Sequence, residues 1–218
     1  MQIHSLFADA ALPTRFFLRL RSILTPYDSI ASALPAQGRV LDLGCGHGLL
    51  ALALVVSSSQ REVIGIDHDS ERVRLARLAA LRLPNASMPE FEVGDLREKL
   101  ASFASGSLAG MAMIDILHYF DPASQRFLVG EAARVISPGG TLVIREIDSD
   151  AGIKAAANRL YERLATGVGF TQSVGRTLSF KGARGWASLL ESAGFTVRFE
   201  PCGPRFLADV LFVGRRRP

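Results

Sequence analysis

The chain has 218 residues, 48% of them hydrophobic, with 25 basic against 21 acidic residues and a formal net charge of +4. This length suits one large domain, and the hydrophobic content excludes a disordered chain. No apolar run reaches the roughly 20 residues that span a bilayer, and the two cysteines, Cys45 and Cys202, have no metal-ligand spacing. We expect a cytoplasmic protein with a mostly solvated basic surface and no nucleic-acid partner.

The first 35 residues contain an amphipathic helix, predicted over 14–24. Its apolar positions at helical spacing are Phe16, Leu20, Ile23 and Leu24. Arg15 and Arg19 lie on the other side, and Pro26 then breaks the chain. We expect residues 1–35 to form a helical cap, and the pattern leaves open whether this helix is a lid or contacts a partner or a membrane surface.

From Arg39 onward, apolar runs alternate with amphipathic stretches, which is typical of βα units around a parallel sheet. Strands are predicted near 39–43, 62–66, 90–93, 110–115, 140–147, 195–200 and 206–213. Helices are predicted near 48–57, 70–82, 95–103, 123–136 and 183–193. The last two strands lie too close together for a crossover helix, so they must form an antiparallel hairpin. The fold class is therefore an α/β doubly wound, Rossmann-like sheet.

This pattern predicts a single domain over 1–218 with four parts. They are the cap over 1–35, a ligand-binding core over 36–148, an insertion over 149–181 and a C-terminal helix and hairpin over 182–218. The insertion interrupts the alternation, so we expect it to cover the sheet edge as a lid.

The strongest local signal is the run Val40-Leu41-Asp42-Leu43-Gly44-Cys45-Gly46-His47-Gly48, between a predicted strand and a helix. Glycine serves where the backbone takes positive φ or approaches a ligand closely. The spacing is G-x-G-x-G and not the dinucleotide G-x-G-x-x-G, because position 49 is Leu. Asp42 precedes the glycines, which disfavours a phosphate and suits a cationic ligand.

Two more carboxylates follow the next two strands. Asp67 ends the second strand and can accept both hydroxyls of a ribose, and Asp95 follows the third, where it can accept the amine of adenine. Helix N-capping is the competing role for each aspartate. Both together beside a glycine loop favour a nucleoside ligand.

With these motifs the sequence resembles the class I S-adenosylmethionine-dependent methyltransferases. V-L-D-L-G-C-G-H-G, I-G-I-D, V-G-D, M-A-M-I-D-I-L-H-Y and S-P-G-G-T-L-V-I resemble that family's successive motifs. The resemblance is close over residues 36–148 and looser over 182–214. It implies seven strands in the order 3-2-1-4-5-7-6, with strand 7 antiparallel. It also implies S-adenosylmethionine as cofactor and S-adenosylhomocysteine as product.

The resemblance further implies a set of cofactor-binding residues. Asp42 and the glycine loop would hold the methionine part, Asp67 the ribose, and Asp95 with Leu96 the adenine. The full set is Asp42, Gly44, Cys45, Gly46, Gly48, Asp67, His68, Asp95, Leu96 and Asp115. His68 departs from the family, which usually stacks an apolar residue on the adenine there.

For the reacting end, His118 follows the fourth strand by three residues and is either a catalytic base or a packing residue. Arg145 and Glu146 end the fifth strand, where one would face the pocket or both would be ion-paired. Tyr27, Tyr161 and Phe170 are candidate walls of the acceptor site. No zinc-binding pattern is present, so we expect no metal.

We expect the acceptor to be a small or acyl-carrier-bound molecule, with oxygen as the favoured methylated atom. The basic residues Arg176, Lys181, Arg184 and Arg205 suggest that it is anionic. An RNA methyltransferase of the same fold is the competing enzyme, although D-I-L-H replaces the run with which base-amine methylating enzymes hold a flipped base. Two further candidates are a non-catalytic nucleoside-binding regulatory module and, least favoured, a nicotinamide oxidoreductase.

Overall fold

The computed structural model describes residues 3–84, 87–152 and 178–218. Within these ranges, seven strands form one sheet in the order β3-β2-β1-β4-β5-β7-β6. The strands are β1 (Gly38–Leu43), β2 (Arg61–Asp67), β3 (Glu90–Val93), β4 (Leu108–Ile114), β5 (Ile136–Ile147), β6 (Phe195–Pro201) and β7 (Asp209–Arg216). β7 pairs antiparallel with both β5 and β6, and the other pairs are parallel. The α/β fold and its strand order are therefore confirmed.

Seven α-helices surround the sheet in the described part of the chain. They are α1 (Leu12–Leu24), α2 (Tyr27–Ala33), α3 (Leu49–Ser57), α4 (Ser70–Ala80), α5 (Leu96–Ser102), α6 (Pro122–Val135) and α7 (Ala183–Ser192). Short 3₁₀ turns occupy Ile3–Leu6 and Leu117–Tyr119. Among these described helices, none has the length and apolar character that crossing a membrane requires.

Alternate residues of the strands bury side chains in two cores, one on each face of the sheet. Along β1, Val40 belongs to the core that α1 to α4 cover, whereas Leu41 and Leu43 belong to the core under α5, α6 and α7. Chain order reverses between β1 and β4, which lie side by side at the centre of the sheet. This reversal is the switch point at which open α/β sheets bind ligands, beyond the carboxyl ends of the strands.

Three local features were not predicted from the sequence. Residues 27–33 form α2; the break predicted at Pro26 is present between α1 and α2, and Pro26 is tolerated there as the residue that precedes the second helix. The N-cap of α4 is Asp69, which accepts the N–H groups of Glu71 and Arg72. The S-P-G-G stretch lies inside β5, where the pairing with β4 shifts register. The predicted lid over 149–181 is described only at its two ends.

The buried face of α1 also differs from the expected one. Phe17 and Leu18 are buried, whereas Phe16 and Ile23 of the apolar stripe are 71% and 67% exposed. The helix docks through the Phe17 side because that ring packs against His47 of the glycine loop, with ring centroids 6.2 Å apart. The docking of the helix, and not its most regular apolar stripe, decides which side is buried.

Arg61, the first residue of β2, ties the ends of two helices together. Its guanidinium is buried and donates hydrogen bonds to the carbonyls of Pro35, Leu54, Ala31 and Leu34 at 2.7 to 3.2 Å. We expect Arg61→Met to lower the free energy of unfolding by about 2–4 kcal/mol, because these buried carbonyls lose their donor. Urea denaturation measures the loss. The exposed Arg39→Met is the control, and an equal small effect of both variants would contradict the assigned role.

Candidate functional site

A cavity of about 250 Å³ lies at the carboxyl ends of the central strands. It is bordered by the glycine loop after β1, the end of β2, the start of α5, the end of β4 with its 3₁₀ turn, and the inner side of α1. Its lining contains Asp42, Gly44, Cys45, Gly46, Asp67, His68, Asp95, Leu96 and Asp115. The structure thus brings together every predicted cofactor residue except Gly48, which lies behind the loop as the residue preceding α3.

The glycine loop is shaped by positive φ angles, 77° at Gly44 and 53° at Gly46. A Cβ at Gly44 would lie 2.6 Å from Cγ2 of Ile116, so the neighbouring loop leaves no room for a side chain. A Cβ at Gly46 would meet nothing within 4 Å. Gly46 therefore presents bare backbone to the open cavity, which lets a ligand approach closely.

Asp42 places a carboxylate in this cavity almost without solvent contact. It is 2% exposed, and its Oδ2 has no hydrogen-bond partner among the described residues. The pKa of Asp42 is raised to about 7, chiefly by burial; a backbone hydrogen bond from Ala51 lowers it and the nearby charge of Asp67 raises it. A buried carboxylate oxygen without a partner is costly, and a cationic ligand would satisfy it.

Asp67 braces the loop and faces the cavity at the same time. Its Oδ2 accepts the N–H of Gly46 at 2.8 Å, and its Oδ1 accepts the N–H of Asp69 at 2.9 Å. Nδ1 of the exposed His68 lies 3.3 Å from Oδ1. Each carboxylate oxygen can accept a second hydrogen bond, so the pair of ribose hydroxyls remains a suitable partner.

Asp95 is the N-cap residue of α5, which was the competing role predicted for it, and it also lines the cavity. Its Oδ1 caps α5 by accepting the N–H groups of Arg97 and Glu98 at 2.9 and 3.2 Å. Partial burial would raise the pKa of Asp95, but these hydrogen bonds outweigh it and lower the pKa below its ordinary value. The adjoining Leu96 is buried and supplies an apolar wall beside the carboxylate.

Asp115 joins four elements through a buried ionic network. It has a φ of 56°, the one positive φ of a non-glycine residue in the described ranges. Arg145 of β5 donates through Nη1 to both Asp115 oxygens at 2.6 Å and through Nη2 to Asp209 of β7 at 2.5 Å. Arg21 of α1 adds a contact of 3.0 Å to Asp115. The network anchors α1 beside the cavity.

His118 lies behind the cavity and does not line it. Its imidazole is fully buried, with Nδ1 2.7 Å from Oε2 of Glu146. Oε1 of the same carboxylate accepts the backbone N–H of Leu117 at 2.7 Å. The ring packs between Tyr119 and Phe180, at centroid distances of 4.2 and 5.1 Å. Among the described residues, His118 therefore does not belong to the cavity lining.

Of the other residues that were expected at the reacting end or near the acceptor, some line the cavity and others do not. Arg145 is ion-paired, as one of the two interpretations predicted, and Glu146 is hydrogen-bonded to His118; neither lines the cavity. Tyr27 does line it, and burial raises the pKa of its phenol while Arg21 opposes that change. Tyr161, Phe170 and Arg176 lie outside the described residues. Lys181, Arg184 and Arg205 are described but do not line the cavity.

Sequence reasoning missed several lining residues, namely Phe17, Arg21, His47, Arg72, Tyr119 and Phe120. Phe17 and Arg21 are four residues apart on α1, so choosing the other helix face would have found them. His47 packs against Phe7 and Phe17, and burial lowers the pKa of His47 to about 4. In the described part of the chain, no group of three or more His, Cys, Asp or Glu side chains could hold a metal ion.

Comparison with known proteins agrees with this geometry. A family model described as a methyltransferase domain matches residues 40–140. Residues 40–140 therefore match a methyltransferase domain, and the seven-stranded sheet in the order 3-2-1-4-5-7-6 is consistent with the class I S-adenosylmethionine-dependent methyltransferases. The methyltransferase domain begins in β1 and ends in β5, so it contains the glycine loop and all the acidic residues of the cavity.

Two relatives of similar sequence extend the comparison. An uncharacterized 37.1 kDa transposon protein of Streptomyces fradiae is 42% identical over 112 residues, covering 50% of this chain and 30% of that protein. A ubiquinone biosynthesis O-methyltransferase of Paracidovorax citrulli is 35% identical over 120 residues, covering 54% of this chain and 47% of that enzyme. The match thus spans about half or less of the length of these relatives.

A solved O-methyltransferase family protein from Burkholderia thailandensis superimposes on the chain with a TM-score of 0.73 and 22% identity. The superposition covers 98% of this chain and 62% of that one. At this identity the likeness shows the fold alone. The superposition extends beyond residues 40–140, which the methyltransferase domain model matches.

Proposed function

We propose that the protein transfers a methyl group from S-adenosylmethionine to a small or carrier-bound acceptor, with oxygen as the favoured acceptor atom. The observation that carries this proposal is the buried Asp42 oxygen without a partner, beside the open backbone of Gly46. S-Adenosylmethionine is cationic at its sulfonium and its ammonium group. It therefore suits an acidic cavity, which would repel the pyrophosphate of a dinucleotide.

Each part of the cofactor has a partner in the lining. Asp42 would hold the ammonium group of the methionine part, and Asp67 would hold the ribose hydroxyls. Leu96 would contact the adenine, Asp95 would accept its amine, and the exposed imidazole of His68 would border it. The residues present fit the cofactor, because they offer carboxylates for the ammonium group, the ribose and the adenine amine, and an apolar wall for the adenine ring.

When bound, S-adenosylmethionine supplies an electrophilic methyl group, and its displacement leaves S-adenosylhomocysteine. The chain's contribution is to bind, align and keep water out. The acceptor end of the cavity is formed by Tyr27, Asp115, Tyr119 and Phe120. Asp115 is already paired with two arginines, so we propose that these residues align the acceptor, and that the proton of a hydroxyl acceptor passes to solvent water after the methyl group is transferred.

His118 has a positioning role in this proposal. Its hydrogen bond to Glu146 and its packing against Tyr119 hold the 3₁₀ turn that presents Tyr119 and Phe120 to the cavity. A catalytic base at His118 stays a prediction, and the geometry favours the packing role. The named activity of the Paracidovorax citrulli relative supports oxygen as the methylated atom. Arg21 and Arg72 in the lining support an anionic acceptor.

Binding of the cofactor can be tested through Asp67. We expect Asp67→Ala to weaken S-adenosylmethionine binding by roughly 2–4 kcal/mol, because a charge-assisted contact to the ribose and the brace of Gly46 are lost together. Isothermal titration calorimetry measures the loss. Asp69→Ala is the matched control, because Asp69 caps α4 outside the cavity lining. Binding of NADH without binding of S-adenosylmethionine would exclude the proposed cofactor.

Catalysis needs a separate experiment. Transfer of a radiolabelled methyl group should be screened over phenols, carboxylates and acyl-carrier substrates. Transfer to a hydroxyl would support the proposal. Tight cofactor binding without transfer to any of these acceptors would favour the non-catalytic nucleoside-binding module instead.

A further inference from the structure

Helix α1 carries an apolar stripe that faces away from the protein. Leu12, Phe16 and Ile23 are 75%, 71% and 67% exposed. At about 100° per residue these three positions fall within roughly 40° of one another around the helix axis. They form one outward stripe, continued at its edge by the half-buried Leu20. Transfer of these three side chains from water into an apolar environment would therefore be favourable.

The opposite side of α1 is already occupied. Phe17 and Leu18 are buried, and Arg21 lies between them around the helix and contacts Asp115. All three line the ligand cavity. The outward stripe is therefore not a misplaced core face, because the helix has a second, separate contact surface that holds it on the protein.

The charges around the stripe indicate what it contacts. Arg15 and Arg19 are exposed along one edge of the stripe, and α1 contains no acidic residue. Phe, Leu and Ile on one face with arginine beside them is the composition of helices that lie in the interface of anionic membranes. All 13 residues of α1 can lie parallel to the plane of such an interface.

We propose that the outward face of α1, defined by Leu12, Arg15, Phe16, Arg19 and Ile23, binds the surface of an anionic lipid bilayer. The apolar side chains enter the boundary between headgroups and acyl chains, and the two arginines contact lipid phosphates. Since the inner face of the same helix lines the cavity, this contact brings the cavity next to the lipid. The proposal stands independently of the methyl-transfer reaction.

A second copy of the chain fits this face less well. In a symmetric pair of α1 helices, Arg15 and Arg19 would approach the same arginines of the other copy, and α1 offers no carboxylate to pair with them. Phosphates on a lipid surface provide that missing charge. The electrostatic argument therefore favours the bilayer over self-association.

Flotation of the full chain with vesicles tests the proposal. We expect binding to vesicles of phosphatidylcholine with phosphatidylglycerol, weaker binding to phosphatidylcholine alone, and release as salt rises. Phe16→Ser with Ile23→Ser should reduce partitioning by about tenfold or more, because two apolar side chains no longer enter the bilayer. Arg15→Gln with Arg19→Gln should remove the preference for the anionic lipid.

Matched controls are available on other surfaces. Phe127 and Phe199 are 44% and 47% exposed, and their double replacement by Ser should leave vesicle binding unchanged. Circular dichroism confirms that each variant is folded. Absence of binding to anionic vesicles, or equal losses in the α1 and control variants, would overturn the proposal. So would a dimer in sedimentation experiments that the α1 variant dissociates while vesicles bind neither protein.

Discussion

At pH 8, Asp42→Asn is expected to stabilise the folded chain by up to about 4 kcal/mol while weakening S-adenosylmethionine binding at least tenfold. Burial raises the pKa of Asp42 from 3.8 to about 7. The ionised carboxylate therefore opposes folding. The penalty is absent below pH 3.8, grows as pH rises from there to about 7, and is complete above it. Asn keeps the shape of the side chain without the charge. The gain in folding stability of Asp42→Asn should therefore be present at pH 8 and absent near pH 4.

Urea denaturation at both pH values measures this effect, and calorimetry measures the binding. The same pKa makes cofactor affinity in the parent pH-dependent, because the proton on Asp42 must leave before an ammonium group can bind. We expect the dissociation constant to rise by about tenfold between pH 8 and pH 6, and to stay constant in Asp42→Asn. Burial lowers the pKa of His47 to about 4, so it remains neutral throughout this range.

His68 requires its own control, because it lines the cavity and its Nδ1 lies 3.3 Å from Oδ1 of Asp67. In His68→Gln, the pH dependence should persist if Asp42 causes it. A stabilising Asp42→Asn variant with unchanged cofactor affinity would show that the carboxylate is buried for another reason.

The second large effect is expected at Arg145. Arg145→Met should lower the free energy of unfolding by about 3–5 kcal/mol, because buried Asp209 loses this cation and Asp115 keeps only Arg21 of its two arginines. Arg145, Asp115 and Asp209 are 4%, 9% and 5% exposed, so solvent compensates little. Burial alone would lower the pKa of Arg145, but its contacts with both carboxylates raise it, so the cation persists at any experimental pH. Urea denaturation measures the loss.

Two further variants make this prediction specific. Arg145→Met combined with Asp115→Asn and Asp209→Asn should recover much of the stability, because the uncompensated charges are gone. Arg74→Met is the control, since Arg74 pairs with Glu71 three residues away at the exposed surface and should cost little. A loss at Arg145 no larger than that at Arg74, or no recovery in the combined variant, would contradict the buried network.

Features encoded in a short stretch of sequence were predictable. The glycine loop with Asp42, and Asp67 at the end of the next strand, follow from strand, turn and helix patterns within about thirty residues. The hairpin of β6 and β7 followed from a linker too short for a helix. These elements place the carboxylates at one sheet edge, and the structure brings them into one cavity.

Features that depend on distant contacts were not predictable. Arg21 reaches Asp115 across 94 positions of the chain, and no local pattern announces this pair. The same docking turns Phe16 outward and Phe17 inward, against the regular apolar spacing. His118 has the right distance from β4, but Glu146, 28 positions away, turns its ring into the core. Buried ion pairs and helix docking are properties of the folded chain.

The most direct test of the account compares S-adenosylmethionine with 5′-methylthioadenosine, a neutral thioether that lacks the sulfonium charge and the methionine ammonium and carboxylate groups. Calorimetric titration of both ligands into the parent and Asp42→Asn forms a double-mutant cycle. If Asp42 receives the cationic methionine part, the variant should lose at least tenfold in affinity for S-adenosylmethionine and almost none for 5′-methylthioadenosine, a coupling of about 1.4 kcal/mol or more. Equal losses for both ligands, or no binding of S-adenosylmethionine to the parent, would contradict the account.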